Sequence, residues 1–179
     1  ALDPDTSLTA LAADYDTIDL LAWSFGVWAA AHLAKHLPPG IGRRVALAGT
    51  LRPINAAFGI APRILDATIA HFSLENRDNF YRRMTGDAAT YASFMAHAPE
   101  RSLDSQRDEL VSLRAAVTDA PTPANMYTHA LIPSRDVSVP ARSQEAFWAD
   151  SPHTLIAAPH FPFFTWENWD DPFAYAPGD

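Results

Sequence analysis

The 179-residue sequence contains no cysteine. That removes disulfides, thiolate nucleophiles and Cys-ligated zinc from consideration and suits a reducing compartment. Basic residues are also scarce: 13 Lys and Arg stand against 21 Asp and Glu, a formal net charge of -8 with a pI near 5.2. Nucleic acids and anionic membranes both demand an excess of cationic side chains, so neither is an expected partner. No apolar run reaches the length of a membrane span, and the opening "ALDPDTSLTA" has neither the basic nor the apolar region of a signal peptide. The expectation is a cytoplasmic protein without membrane contact, acting on small molecules or on another protein.

What is present suffices for a well-buried core, since 48% of residues are hydrophobic and 11% aromatic. One domain spanning residues 1–179 is expected. "SLTALAADY", 7–15, has the period of a short helix, and "TIDLLAW", 17–23, reads as a buried strand. "SFGVWAAAHLAKH", 24–36, is helical and is stopped by "LPPG"; "RRVALAGT", 43–50, is a second buried strand. Strand, turn, helix and strand in that order predict a parallel α/β sheet. Between about 51 and 124, amphipathic segments such as "RILDATIAHFSLENRDNFYRRM" and "SQRDELVSLRAAV" indicate a helical insertion. Strand character returns in "ANMYTHALIP", 124–133, and "HTLIAAP", 153–159, with a helix in "RSQEAFWADS" between them. The Pro-rich aromatic tail reads as one short helix and an irregular end.

Three predicted strand ends carry a reactive side chain: Ser24 after the first, Asp136 in "LIPSRDVSVP" after the third, His160 in "APHFPFF" after the last. In an open parallel sheet these carboxyl ends share one crevice. A serine hydroxyl becomes a nucleophile when an imidazole removes its proton, and a carboxylate orients the imidazole and stabilises its cation. The order Ser, Asp, His is that of α/β-hydrolases, whose nucleophile sits in a G-x-S-x-G elbow. In "AWSFG" Ala22 and Gly26 supply the small residues. Ser24 taken alone is equally a helix N-cap, Asp136 a turn former and His160 a satisfied loop histidine. His32 and His36, at i, i+4 on one helix, lack the Glu of H-E-x-x-H and a third ligand, so no metal site is expected. Trp28, on the same helix, reads as core.

"LLAWSFGVWAA", "GTLRPINAAFGIAPRILDATIAHFSLENRDNFYRRMTGD", "IPSRDVSVP" and "PHFPFFTWENW" together resemble, in order and spacing, the BioG-type pimeloyl-[acyl-carrier-protein] methyl ester esterases. The resemblance runs from about residue 15 onwards, and its most specific parts are the W-S-x-G-V-W elbow and "FGIAP". It implies an α/β-hydrolase fold with a helical lid and cleavage of the methyl ester of pimeloyl-carrier protein in biotin synthesis, without a cofactor. It also implies nucleophile, acid and base at Ser24, Asp136 and His160, with the backbone N–H of Phe25 as one oxyanion donor. The family opens with a strand and a G-W-G-like loop that have no match in residues 1–16, so the N-terminal strand or strands are expected to be missing from this chain.

A carrier protein bearing a pimeloyl methyl ester is strongly acidic, and the charge distribution bears on its docking. Residues 51–120 hold eight Arg against nine Asp and Glu, nearly neutral beside the acidic remainder. Arg63, Arg77, Arg82 and Arg83 are the expected carrier contacts, against a plain solvated face with internal ion pairs. An acyl slot would be walled by Trp23, Phe25, Phe58, Phe72, Phe161 and Phe164, although each suits a core equally well. Two alternatives remain open: another esterase or thioesterase on the same fold, and a non-catalytic α/β binding domain.

Overall fold

A computed structural model of the chain describes residue 10 and residues 12–176. Within these residues, β1 (Ile18–Trp23), β2 (Ile41–Leu47), β3 (His129–Pro133) and β4 (His153–Ile156) form one parallel sheet in that order. The register pairs Trp23 with Leu47, Leu47 with Leu131, and Pro133 with Ile156, so the carboxyl ends of all four strands share one edge. Parallel neighbours require a crossover at each step. α1 (Phe25–His32) makes the first and α6 (Ala141–Trp148) the last. Between β2 and β3 the chain inserts α2 (Pro62–Ala70), α3 (Leu74–Thr85), α4 (Ala88–Met95) and α5 (Leu103–Asp119).

Alternation along the strands divides the core in two. Ala22, Ala46, Ala130 and Ile132 pack on one side with Val27 and Ala31 of α1 and Trp148 of α6. Val45, Leu47, Leu131 and Ile156 face the other side, where Phe173 and Ala176 of the C-terminal tail cover them. Covering both faces suits a parallel sheet, whose strands read as nearly continuous apolar runs. No helix among the described residues is long and apolar enough to cross a membrane.

Several boundaries differ from expectation, each for a local reason. The long segment over 63–84 is broken at His71–Ser73, where the Ser73 hydroxyl accepts from the Asn76 N–H and starts a new helix. α4 was not read in the sequence; Asp87 caps it by accepting from the N–H groups of Ala89 and Thr90. The first helix ends at His32, and His36 falls in a separate 3-10 turn, Ala34–His36. The two histidines therefore do not share a helix face, and the His32 ring stacks on Trp28 at 4.7 Å. Trp28 is buried and also lines a hollow of about 240 Å3 against Arg52 and Val117. Strand character over 124–128 gives way to an Asx turn, Tyr127 N–H to Asn125 Oδ1, with β3 starting at His129. β4 stops at Ile156, and the tail forms two 3-10 turns, Phe163–Thr165 and Asp171–Tyr175. The helix expected over 7–15 falls partly outside the described residues; Ala10 and Ala12 are helical, and the chain turns at Ala13 and Asp14.

Candidate active site

Ser24 joins β1 to α1 at φ 57 and ψ -128, a backbone conformation that side chains disfavour. Two hydrogen bonds enforce it: the Ser24 N–H donates to the Leu47 carbonyl at 2.9 Å, and the Ser24 carbonyl accepts from the Val27 N–H at 3.1 Å. The turn depends on glycine, but not on the one expected. A Cβ on Gly26 would meet nothing within 4 Å among the described residues, whereas one on Gly49, just beyond β2, would lie 2.3 Å from the Ser24 carbonyl oxygen. The Trp148 indole, donating to the Gly49 carbonyl at 2.9 Å, fixes that close approach.

Although Ser24 occupies the N-cap position of α1, its hydroxyl makes no capping bond. It lies instead 3.0 Å from His160 Nε2. His160 Nδ1 lies 2.7 Å from Asp136 Oδ2, and both residues are almost wholly buried. Because Asp136 oxygen is an acceptor, the Nδ1–H donates to it and Nε2 presents its lone pair to the serine hydroxyl. Asp136 is saturated with donors: Ser138 N–H at 2.8 Å and Val139 N–H at 3.0 Å on Oδ1, Gln144 Nε2 at 2.9 Å on Oδ2 beside the imidazole. Four donors hold this buried carboxylate in one orientation.

His160 is gripped from two further directions. The Trp23 indole donates to its carbonyl at 2.8 Å and the two rings lie 5.1 Å apart. The next residue, Phe161, donates its N–H to the Met84 carbonyl at 3.0 Å, tying the histidine loop to the end of α3. There Gly86 adopts φ 83, and a Cβ on it would press on Pro159 at 2.9 Å. The helical insertion thus braces the imidazole.

The expected slot residues separate. Trp23, Phe161 and Phe164 form a connected aromatic group, Phe161 lying 5.8 Å from Trp23 and 5.1 Å from the exposed Phe164. Phe163, and Phe94 and Tyr81 from the insertion, extend it and were not anticipated. Phe58 instead packs on Phe147 of α6 at 5.9 Å beneath the Arg52 guanidinium, and Phe72 lies in the α2–α3 connection. Phe25 is the first residue of α1, so its N–H has no intrahelical acceptor.

Among the expected carrier contacts, Arg82 is engaged within the insertion: its Nε donates to Asp78 at 2.8 Å and its guanidinium lies 4.1 Å from the Tyr91 ring centre. The Tyr91 hydroxyl also bonds Asp78, and these two donors hold the Asp78 carboxyl below the ordinary carboxylate range. Arg77 lies over Tyr81 at 5.7 Å, half-buried. Arg63 and Arg83 are exposed and enter no ion pair among the described residues.

Gln144 and Gly49 were missed. The trace available for Gln144 was its position one turn after Pro140 at the start of a helix; for Gly49, a glycine directly after a buried strand.

A serine on a strained strand-to-helix elbow, facing a histidine and an aspartate from later strands of one parallel sheet, defines an α/β protein of the α/β-hydrolase type. The family described as pimeloyl-ACP methyl esterase BioG matches residues 4–171, and the chain belongs to that family. The solved structure of BioG from Haemophilus influenzae superimposes with a TM-score of 0.82 at 28% identity, covering 96% of this chain and 78% of that one. An uncharacterized protein of H. influenzae is 30% identical over 159 residues, 87% of this chain and 72% of its own length. A malonyl-[acyl-carrier protein] O-methyltransferase of Bacteroides fragilis is 30% identical over 148 residues, 83% of this chain. The chain spans only 30% of that methyltransferase's length.

Proposed function

We propose that the chain is a serine carboxylester hydrolase that cleaves the methyl ester of pimeloyl-[acyl-carrier protein]. The single observation that carries this is the continuous hydrogen-bonded line from Ser24 Oγ through His160 to Asp136, with the serine hydroxyl turned away from its own helix. Ser24 Oγ attacks the ester carbonyl while His160 Nε2 takes its proton. The imidazolium, stabilised by Asp136, returns that proton to the methoxide, and methanol leaves a Ser24 acyl ester. Water, deprotonated by the same imidazole, then releases the free acid and restores the hydroxyl.

The Phe25 N–H, unpaired within its helix and adjacent to the nucleophile, is the proposed oxyanion donor, a contribution of about 3 kcal/mol to the barrier. Trp23, Phe161 and Phe164 offer an aromatic surface beside the imidazole for the pimeloyl chain. Phe58 and Phe72 have weaker claims because neither joins that surface. Of the arginines, Arg63 and Arg83 are the better candidates for an acidic carrier protein, since Arg82 already has its counter-ion. The helices over about 51–124 would act as the lid of a single hydrolase domain, and the cysteine-free composition fits a cytoplasmic setting.

The test is release of methanol from pimeloyl-carrier-protein methyl ester by the purified chain, alongside labelling by a fluorophosphonate. Wild-type turnover and labelling, both lost in Ser24→Ala, support the reading. A folded wild-type chain that neither labels nor turns over is a binding domain. Labelling with turnover of short free esters only would make it a different esterase.

A further inference from the structure

Gln144 is 0% exposed, and its side-chain amide makes two hydrogen bonds, both as donor. Nε2 reaches Asp136 Oδ2 at 2.9 Å and the Val139 carbonyl at 2.7 Å. Neither neighbour can donate, since one is a carboxylate oxygen and the other a carbonyl. The nitrogen must therefore face them, because a flipped amide would oppose oxygen to two oxygens. Its Oε1 is consequently left buried without a partner among the described residues, as is the Ser138 hydroxyl of the same loop. A buried acceptor without a donor is a cost that a Met or Leu of similar size would avoid. What the amide supplies in return is its two donated bonds, one to the Val139 carbonyl of the loop and one to the Asp136 carboxylate.

Asp136 Oδ1 is fixed by the N–H groups of Ser138 and Val139, which orient the carboxylate. Oδ2 carries the working bond to His160 Nδ1, at 2.7 Å, and Gln144 is the second donor to that same oxygen. By occupying the other side of Oδ2, the amide steers the remaining electron pair at the imidazole. By drawing density from the oxygen it also moderates how strongly the carboxylate stabilises the imidazolium. Position in the fold makes this possible: Gln144 sits on the first turn of α6, its chain pointing back over the loop that bears Asp136.

We infer that Gln144 is a positioning residue that aligns Asp136 Oδ2 with His160 and tempers the basicity of the imidazole. This rests on the proposed Ser24–His160–Asp136 relay.

The experiment uses the whole chain and follows the rate of fluorophosphonate labelling against pH, so it needs no knowledge of the acyl substrate. In Gln144→Met, which keeps volume but removes both donors, the limiting rate should fall about tenfold. The acidic limb of the profile should move to higher pH by about half a unit, because the Asp136 carboxylate then binds the imidazolium more strongly. A merely structural role would lower stability without moving that limb. Gln144→Glu, whose protonated carboxyl can still donate one bond, should recover part of the rate at acidic pH. An unchanged limb and rate in Gln144→Met, with the wild type labelling normally, overturns this inference and leaves the relay intact. If the wild type does not label, the relay itself fails as a nucleophile device. The far-downfield proton resonance of His160 Nδ1–H then reads the hydrogen bond directly: a shift in Gln144→Met, or in Gln144→Leu if the Met variant does not fold, supports the positioning role, and identical spectra refute it.

Discussion

Gly49 and Ser24 touch across the sheet edge so closely that a Cβ on the glycine would fall 2.3 Å from the serine carbonyl oxygen and 3.0 Å from its carbon. The neighbour is backbone, so it cannot rotate aside. Gly49→Ala is therefore expected to push the elbow out of line with His160 and to slow fluorophosphonate labelling about a hundredfold, the sensitivity of catalysis to displacements near 1 Å. Gly26→Ala, whose added methyl meets nothing within 4 Å, should leave the elbow in place and raise stability by about 0.5 kcal/mol through helix propensity. Comparable labelling loss in both variants would contradict the assignment of the constraint to Gly49.

The elbow also stores strain. Ser24 at φ 57, ψ -128 occupies a region that a side chain reaches only at a cost of about 1–3 kcal/mol. Ser24→Gly removes the Cβ and with it most of that cost, partly offset by the greater freedom of glycine in the unfolded chain. Activity should vanish while stability rises by about 1 kcal/mol, visible as an upward move of the melting temperature. A stability loss on this substitution would mean that the elbow is relaxed.

The contrast between the two glycines shows how much the sequence disclosed. A buried strand, a helix start and a lone hydroxyl between them are local patterns, so β1, α1 and Ser24 were legible, and Asp136 and His160 followed from the ends of later strands. Gly49 and Gln144 act across sequence separations of 25 and 8 residues. No local period marks such contacts, and only the register of β2 beside β1 and the reach of a side chain over a loop create them. The same holds for the insertion: an amphipathic run of 63–84 looks continuous because Ser73 ends it by a capping bond, not by a proline or a glycine.

Arg82 and Arg83 are neighbours on α3, yet their charges are differently engaged. Arg82 pairs with Asp78 four residues earlier and covers Tyr91, whereas Arg83 is exposed with no ion pair among the described residues. Arg83→Glu should raise the KM for the carrier-bound ester several-fold, by roughly 3–10 times, and leave free short-chain esters unaffected. Arg82→Glu should instead set two like charges one turn apart and loosen α3 against α4, reducing thermal stability with both substrates affected alike. Equal KM changes for carrier-bound and free esters in Arg83→Glu would remove that residue from the docking face.

His129 gives the fold a pH dependence distinct from that of its carboxylates. The ring is buried at the start of β3, Nε2 lies 2.9 Å from the Thr154 hydroxyl, and Nδ1 has no partner among the described residues. Burial, with His153 nearby, holds its pKa below the ordinary value of 6.5. Protons then bind the unfolded chain more readily than the folded one, so the stability this neutral ring confers is present above about 6.5 and is lost as pH falls from there. Asp19 and Asp78, held below 3.8 chiefly by their hydrogen bonds to Arg43 and to Tyr91 with Arg82, contribute stability that is lost only at far lower pH. Between pH 7 and 5 the free energy of urea unfolding should therefore fall, and His129→Gln, which keeps a hydrogen-bonding group against Thr154 but cannot take up a proton there, should flatten that fall. An identical slope in wild type and variant would assign the dependence to some other group.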